Sequence, residues 1–319
     1  MMTTGAKIGI VCCSDGQKRE YTANIRRLEE ILQSIGLHPV FSDYIYAKED
    51  VFGGTAKERA HALMNFYRDD EIKGIFDISG GDIANGILPY LDYEVIADSE
   101  KVFWGYSDLT TVINAIYAKT GKPSVLYQIR NLLYDHGEQQ IKDFKNTVLN
   151  HRDDLFRINC RLVSSSAMVC DEDTGRHAKE EFIEIQQNLS DGKVKEMHGV
   201  VVGGNIRCFL KLAGTEYMPD LTDKILLLES YSGTAAKMET YLCQLEQLGA
   251  FDKAAGILLG TFTEMRERKC EPSIETLIRK FAGDRIPVAV TEQIGHGTDA
   301  KGIWIGKELG NRASSSIFC

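Results

Sequence analysis

Along the first half of the chain, short apolar runs alternate with amphipathic stretches of helical period. Ile8 to Cys13 is a β-rich run that stops at Ser14-Asp15-Gly16, a strand followed by a turn. Ile25, Leu28, Leu32 and Ile35 then share one helical face, and Gly36 is placed to end that helix. Leu37 to Phe41 reads as a second strand. Thr55-Ala-Lys-Glu58 is a capping box, with Ala60, Leu63, Met64 and Tyr67 continuing the helix behind it. Gly74 to Ile78 is a third strand and runs into Ser79-Gly80-Gly81-Asp82. The apolar run from Val102 ends in Gly105-Tyr-Ser-Asp108, and a helical stripe follows at once: Leu109, Val112, Ile113, Ile116 and Tyr117. This alternation predicts an α/β fold built on a parallel sheet with helices on both faces. Ligands of such sheets bind beyond the carboxyl ends of the strands.

Between about residues 150 and 195 the pattern turns polar and irregular, which predicts a linker or crossover. The expected organisation is an N-terminal α/β domain over 1–150, a crossover over 151–190 and a C-terminal domain over 191–319. Past the crossover, Gly199 to Val202 reads as a strand, Gly203-Gly204-Asn205 as a turn and Ile206 to Leu212 as a short helix. Lys224 to Leu228 is a buried strand that delivers Glu229 at its end, and a helix from about Ala236 stops at Gly249. Gly256 to Gly260 and Pro287 to Val290 are further strands, the latter leading to Gln293-Ile-Gly-His296-Gly297. Gly302 to Gly306 closes the core.

Composition narrows the function. A net charge of −9 leaves no basic face for nucleic acid. No run approaches the ~18 apolar residues of a membrane span, and Ile8 to Cys13 is too short for a signal peptide, so a cytoplasmic protein is expected. The eight cysteines contain no C-x-x-C and are expected to be reduced thiols, with Cys12 and Cys13 on opposite faces of their strand. Cys170, Asp171, Glu172, Asp173 and His177 are the one cluster of metal-ligating types, but their spacing is not that of a metal site, and no metal is expected. No G-x-G-x-x-G follows a strand, so no dinucleotide cofactor is expected either.

Three polar residues stand at the edges of apolar elements: Ser107, Glu229 and His296. Ser107 sits at a strand-to-helix turn, which serves either a helix N-cap or a nucleophile. Only half of a G-x-S-x-G elbow is present, because Leu109 replaces the second glycine. Glu229 follows four aliphatic residues, where a carboxylate needs a partner; it reads as a structural ion pair or as part of a site. His296 lies between two glycines in a loop, either at the surface or folded against another backbone. Together they fit a Ser…Glu…His order in which the imidazole takes the serine proton and the carboxylate orients the ring. Gly80-Gly81 is either a tight turn or a place where backbone meets a ligand.

These segments resemble the LD-carboxypeptidase family of serine peptidases, which includes the microcin C self-immunity peptidases. The resemblance covers nearly the whole chain. It rests on Ile78-Ser-Gly-Gly-Asp82 with Asn85, Leu88-Pro-Tyr-Leu-Asp-Tyr93, Gly105-Tyr-Ser-Asp-Leu-Thr110 and Gly203-Gly-Asn205. Gly214-Thr215, Ile225-Leu-Leu-Leu-Glu229, Gly256-Ile-Leu-Leu-Gly260 and Gly295-His-Gly297 complete it. It implies a flavodoxin-like N-terminal domain, a smaller and β-rich C-terminal α/β domain, and an active site between them. It also implies Ser107 as nucleophile, Glu229 as carboxylate, His296 as base and a homodimer. With the turn geometry, it points to an oxyanion hole formed by Asp108 N–H and an N–H of the Gly81-Asp82 turn.

Two departures bear on substrate. Tyr127-Gln-Ile-Arg130 stands where relatives commonly carry a Gly-Pro pair, and Ser230-Tyr-Ser-Gly-Thr234 follows Glu229 in a region that helps shape the pocket. Arg130, Arg207 and Ser230 are candidate substrate contacts, the arginines for a carboxylate or phosphate. Each arginine nevertheless reads first as an ordinary surface or structural residue. The expected reaction is release of D-Ala from an LD-linked murein tetrapeptide. Hydrolysis of aminoacyl or peptidyl nucleotides of the microcin C kind is the alternative. A non-catalytic binding protein and a cysteine hydrolase are the remaining readings.

Overall fold

A computed structural model describes residues 2–163 and 197–309. Most of the expected crossover and the Cys170–His177 cluster lie outside them. The first half supplies β1 (Lys7–Val11), β2 (His38–Phe41), β3 (Ile72–Asp77), β4 (Phe103–Gly105) and β5 (Ser124–Leu126). Then come β6 (Arg161–Leu162), β7 (Gly199–Asn205), β8 (Lys224–Ser230) and β9 (Gly256–Phe262). Strands β10 (Val288–Val290), β11 (Ile303–Ile305) and β12 (Glu308–Leu309) follow. Among the described residues these form two sheets, ordered β11-β5-β4-β3-β1-β2 and β12-β7-β8-β9-β10-β6.

In the first sheet β2-β1-β3-β4-β5 are parallel, the flavodoxin-like order, and the winding reverses between β1 and β3. The turns after β1 and β3 therefore meet at one point, where Asp15 N–H donates to Gly80 O (3.1 Å). Cys12 and Cys13 end β1 in the two core clusters on opposite faces of the sheet. The helix over Ala56–Arg68 begins with the expected capping box: Thr55 Oγ1 accepts from Glu58 N–H, and Thr55 N–H donates to Glu58 Oε2. The second sheet is parallel from β7 to β10. Its central β8 and β9 are buried nearly end to end, which is why they read as unbroken apolar runs.

Several elements differ from the sequence reading. Gly203-Gly204-Asn205 is no turn: β7 runs through it, in register with Leu227, Leu228 and Glu229 of β8. Both glycines hold positive φ (104° and 133°) inside the strand, and a Cβ on Gly203 would lie 2.2 Å from Leu227 O. A glycine pair mimics a turn in sequence, yet here it allows close approach. Strand β5 follows Gly121-Lys-Pro123 and is only three residues long, and neither it nor the helix over Gly137–Val148 is among the expected elements. Strand β6, in the stretch read as crossover, adds antiparallel to β10, and β11 leaves the C-terminal half to pair antiparallel with β5.

The two sheets are joined along the helix that Ser107 precedes. This helix, Thr110–Thr120, lies against β7. Asn114, fully buried, donates through Nδ2 to Gly203 O and accepts at Oδ1 from Gly203 N–H, both at 2.8 Å. Thr110 Oγ1 accepts from Asn205 N–H (3.1 Å), and a Cβ on Gly204 would lie 2.7 Å from that hydroxyl. Asn114→Leu leaves both main-chain groups of Gly203 buried and unpaired, so it is expected to lower unfolding stability by about 2–4 kcal/mol. Urea unfolding measures this, and an unchanged midpoint contradicts it.

Candidate active site

Ser107 follows β4 at a turn where Tyr106 is extended and Ser107 itself is left-handed (φ 54°). This conformation is costly for a non-glycine residue and is kept where the surroundings enforce it. Gly105 allows the turn to close, since a Cβ there would lie 2.7 Å from Leu109 Cβ. The leucine that breaks the expected glycine pattern thus packs against the glycine that remains.

The three residues singled out from sequence come together. His296 Nε2 lies 3.1 Å from Ser107 Oγ, and His296 Nδ1 lies 2.8 Å from Glu229 Oε2. Glu229 has no solvent exposure, which leaves its carboxylate dependent on the imidazole. Its Oε1 is buried with no hydrogen-bond partner among the described residues. An ionised carboxylate only accepts, so it holds the histidine proton on Nδ1 and leaves Nε2 as acceptor for the serine hydroxyl. The ring is flanked by Tyr106 and Tyr231, with centroids at 4.6 and 5.0 Å.

Close backbone contacts place each partner. Gly260 of β9 faces Ile294 O and Glu229 Cβ, at 2.4 and 3.0 Å from where its Cβ would stand. Thr261 N–H donates to Ile294 O (2.8 Å), and Gly295 (φ 141°) passes Thr261 where no side chain fits. The loop bearing His296 is thereby fastened to the strand beside β8. Asn131 Nδ2 donates to Gly297 O (3.5 Å) from the opposite side.

The turn after β3 lies against Ser107, with a Cβ on Gly80 coming 4.0 Å from Ser107 Cβ. Gly81 (φ 126°) would place a Cβ 2.0 Å from the Asp15 carboxyl carbon, so only glycine fits. Asp82 N–H donates to Asp15 Oδ1 (3.2 Å). Burial, and then the charge of Asp108, push the Asp15 carboxyl above its usual range.

Asp108 was singled out for its N–H, yet its side chain is the hub of this corner. The fully buried carboxylate accepts from Ser14 Oγ (2.7 Å) and Ala84 N–H (2.8 Å) at Oδ2, and from Lys211 Nζ (2.5 Å) at Oδ1. Lys211 also donates to Asp82 O (2.9 Å), while Arg207 pairs with the Asp82 carboxylate and donates to Gly81 O (3.1 Å). Arg207 is therefore committed to the turn. Ser230 Oγ donates to Ser232 O (2.8 Å) within its own loop. Arg130, on the 3-10 turn after β5, donates from Nη1 to Gln17 Oε1 (3.3 Å). Sequence reasoning missed Lys211, although its four-residue spacing from Arg207 puts both on one side of a short helix.

Burial pushes the thiols of Cys12 and Cys13 well up and that of Cys208 to about 12, so these three are protonated and poor nucleophiles at neutral pH. Among the described residues no group of three or more His, Cys, Asp or Glu side chains is arranged to hold a metal ion, and no helix is long and apolar enough to cross a membrane.

Two α/β sheets meeting at a hydroxyl, an imidazole and a buried carboxylate in line define the class: this is how serine hydrolases are built. Residues 8–127 match the N-terminal domain of LD-carboxypeptidases and residues 198–310 their C-terminal domain, and the chain belongs to this family of serine peptidases. It is 29% identical over 270 residues to the microcin C7 self-immunity protein MccF of Escherichia coli, covering 81% of this chain and 76% of that protein. It is 23% identical over 296 residues to the murein tetrapeptide carboxypeptidase of Pseudomonas aeruginosa, covering 89% of each. The crystal structure of an MccF-like protein from Bacillus anthracis superposes with a TM-score of 0.75 at 27% identity, over 96% of this chain and 93% of that one.

Removing the cation from the buried Asp108 pair gives a direct test of that hub. Lys211→Met is expected to cost about 3–5 kcal/mol of unfolding stability, the scale for orphaning a buried charge. Adding Asp108→Asn should recover part of the loss, and purely additive effects in urea unfolding contradict the pairing.

Proposed function

We propose that Ser107 is the nucleophile of a carboxypeptidase, activated by His296 and oriented through Glu229. The observation that carries this is the line from Ser107 Oγ to His296 Nε2 (3.1 Å) and from Nδ1 to Glu229 Oε2 (2.8 Å). Ser107 Oγ attacks the scissile carbonyl as Nε2 takes its proton. The imidazolium, stabilised by Glu229, then passes that proton to the departing amine. Water, deprotonated by the same ring, hydrolyses the acyl-enzyme and returns the proton to Ser107.

The oxyanion meets Asp108 N–H and Gly81 N–H. Asp82 N–H, the other candidate in that turn, is already engaged by Asp15. Such donors contribute about 3 kcal/mol each to the barrier when preorganised. The Lys211–Asp108 pair and Arg207 hold both donors in place from the second sheet.

The substrate in this reading is the LD-linked murein tetrapeptide, cleaved to release D-Ala, in a cytoplasmic homodimer. Likeness to the murein tetrapeptide carboxypeptidase supports it. Identity of 29% to MccF favours a second substrate class, aminoacyl or peptidyl nucleotides. A non-catalytic binding protein has no use for a left-handed serine aligned with a buried Glu–His pair. The test offers murein tetrapeptide and aspartyl sulfamoyl adenosine side by side. D-Ala release is expected, falling about 10⁵- to 10⁶-fold in Ser107→Ala and about 10⁴-fold in Glu229→Gln. Turnover unchanged in Ser107→Ala overturns the proposal, and cleavage of the nucleotide alone moves the substrate to the second class.

A further inference from the structure

Four cations surround the carboxyl ends of the first sheet, and three are spoken for. Arg59 donates to the carbonyls of Cys13, Ser14, Ile83 and Gly54. Arg207 pairs with Asp82, and Lys211 with Asp108. Arg130 differs. Its one side-chain hydrogen bond goes to the neutral Gln17, its Nε is buried without a partner, and no carboxylate lies within 4.0 Å of it among the described residues.

Its position is fixed from three sides. Strand β5 pairs with β4, Gly105 opposite Leu126, and Tyr127 N–H donates to Gly105 O (2.9 Å). Arg130 thus emerges from the strand end beside the one that carries Ser107. Gln17, the partner of its guanidinium, is itself anchored through Nε2 to Ile78 O (3.0 Å) at the end of β3. The neighbouring Asn131 touches Gly297 in the loop of His296. Tyr106, which precedes Ser107, packs its buried ring on His296.

A half-buried guanidinium without a counter-ion is costly unless a ligand supplies the charge. A carboxypeptidase substrate carries its free carboxylate one residue beyond the scissile bond, about 3.8 Å from Cα to Cα. Resting on the peptidase reading, we infer that Arg130 binds the terminal carboxylate of the substrate and makes this site an exopeptidase site. Its second Nη, which has no partner among the described residues, is offered to that carboxylate, while Gln17 holds Nη1 and Nε stays buried.

Binding to catalytically silent protein tests this apart from turnover. Ser107→Ala is titrated calorimetrically with murein tetrapeptide and with the same peptide amidated only at its terminal D-Ala. The free acid is expected to bind roughly tenfold or more tightly than the amide, the scale of a charge-assisted hydrogen bond. With Arg130→Met added, the ratio should fall to about one. Arg130→Lys, which keeps the charge and loses the planar guanidinium that Gln17 orients, should give an intermediate ratio. A merely structural arginine weakens both peptides alike. An acid–amide preference that survives Arg130→Met, or no preference or binding in Ser107→Ala itself, overturns the inference. Failure of the nucleophile assignment shows separately, as turnover that persists in Ser107→Ala.

Discussion

Alignment of the three site residues depends on one contact between sheets, the docking of the Thr110–Thr120 helix on β7. Ser107 follows a strand of the first sheet, and Glu229 lies in β8 of the second. His296 lies in the loop that leads from β10 of the second sheet to β11 of the first. Thr110, three residues past the serine, accepts from Asn205 N–H, and Asn205 is in register with Glu229 on the neighbouring strand. Glu229 meets His296, and His296 returns to Ser107. The result is a closed circuit of short links. Gly203 and Gly204 make it possible, because a Cβ on Gly204 would push against Thr110 of the helix and one on Gly203 would meet Leu227 O of β8.

Burial of charge sets the second constraint. Glu229 and Asp108 are both fully buried, one beside each end of the catalytic line, and each is matched differently. Asp108 is matched by Lys211 and two further donors, so it stiffens the corner that carries the proposed oxyanion donors. Among the described residues Glu229 has only the imidazole, and one of its oxygens is left unpaired. A carboxylate so placed orients the ring, the role proposed for it. A structural anion and a working one are thus distinguished by their partners.

Much of this was legible in the residues. The β–α alternation up to Tyr117 points to the parallel sheet because its strands are short, and the apolar runs at β1, β3 and β4 end at or near glycine. Glu229 and His296 stood out because a charged or titratable group ended a buried run. What escaped the pattern has a physical cause. Gly203-Gly204 looks like a turn in one dimension and becomes a strand only when Leu227 and Thr110 crowd it from outside. Strand β11 sits late in the chain and pairs with β5 of the first sheet, a long-range choice no local signal encodes. Lys211 and Arg130 take their meaning from partners, or the lack of them, that only the folded chain brings near.

The central claim is that packing of two sheets makes one particular serine nucleophilic. Labelling with a fluorophosphonate, followed by peptide mass spectrometry, tests it most directly, because the reagent reacts with activated serines whatever the natural substrate. The account predicts a single adduct on Ser107 that disappears in His296→Ala, with the other serines unlabelled. An adduct elsewhere, or labelling of Ser107 undiminished without His296, contradicts it.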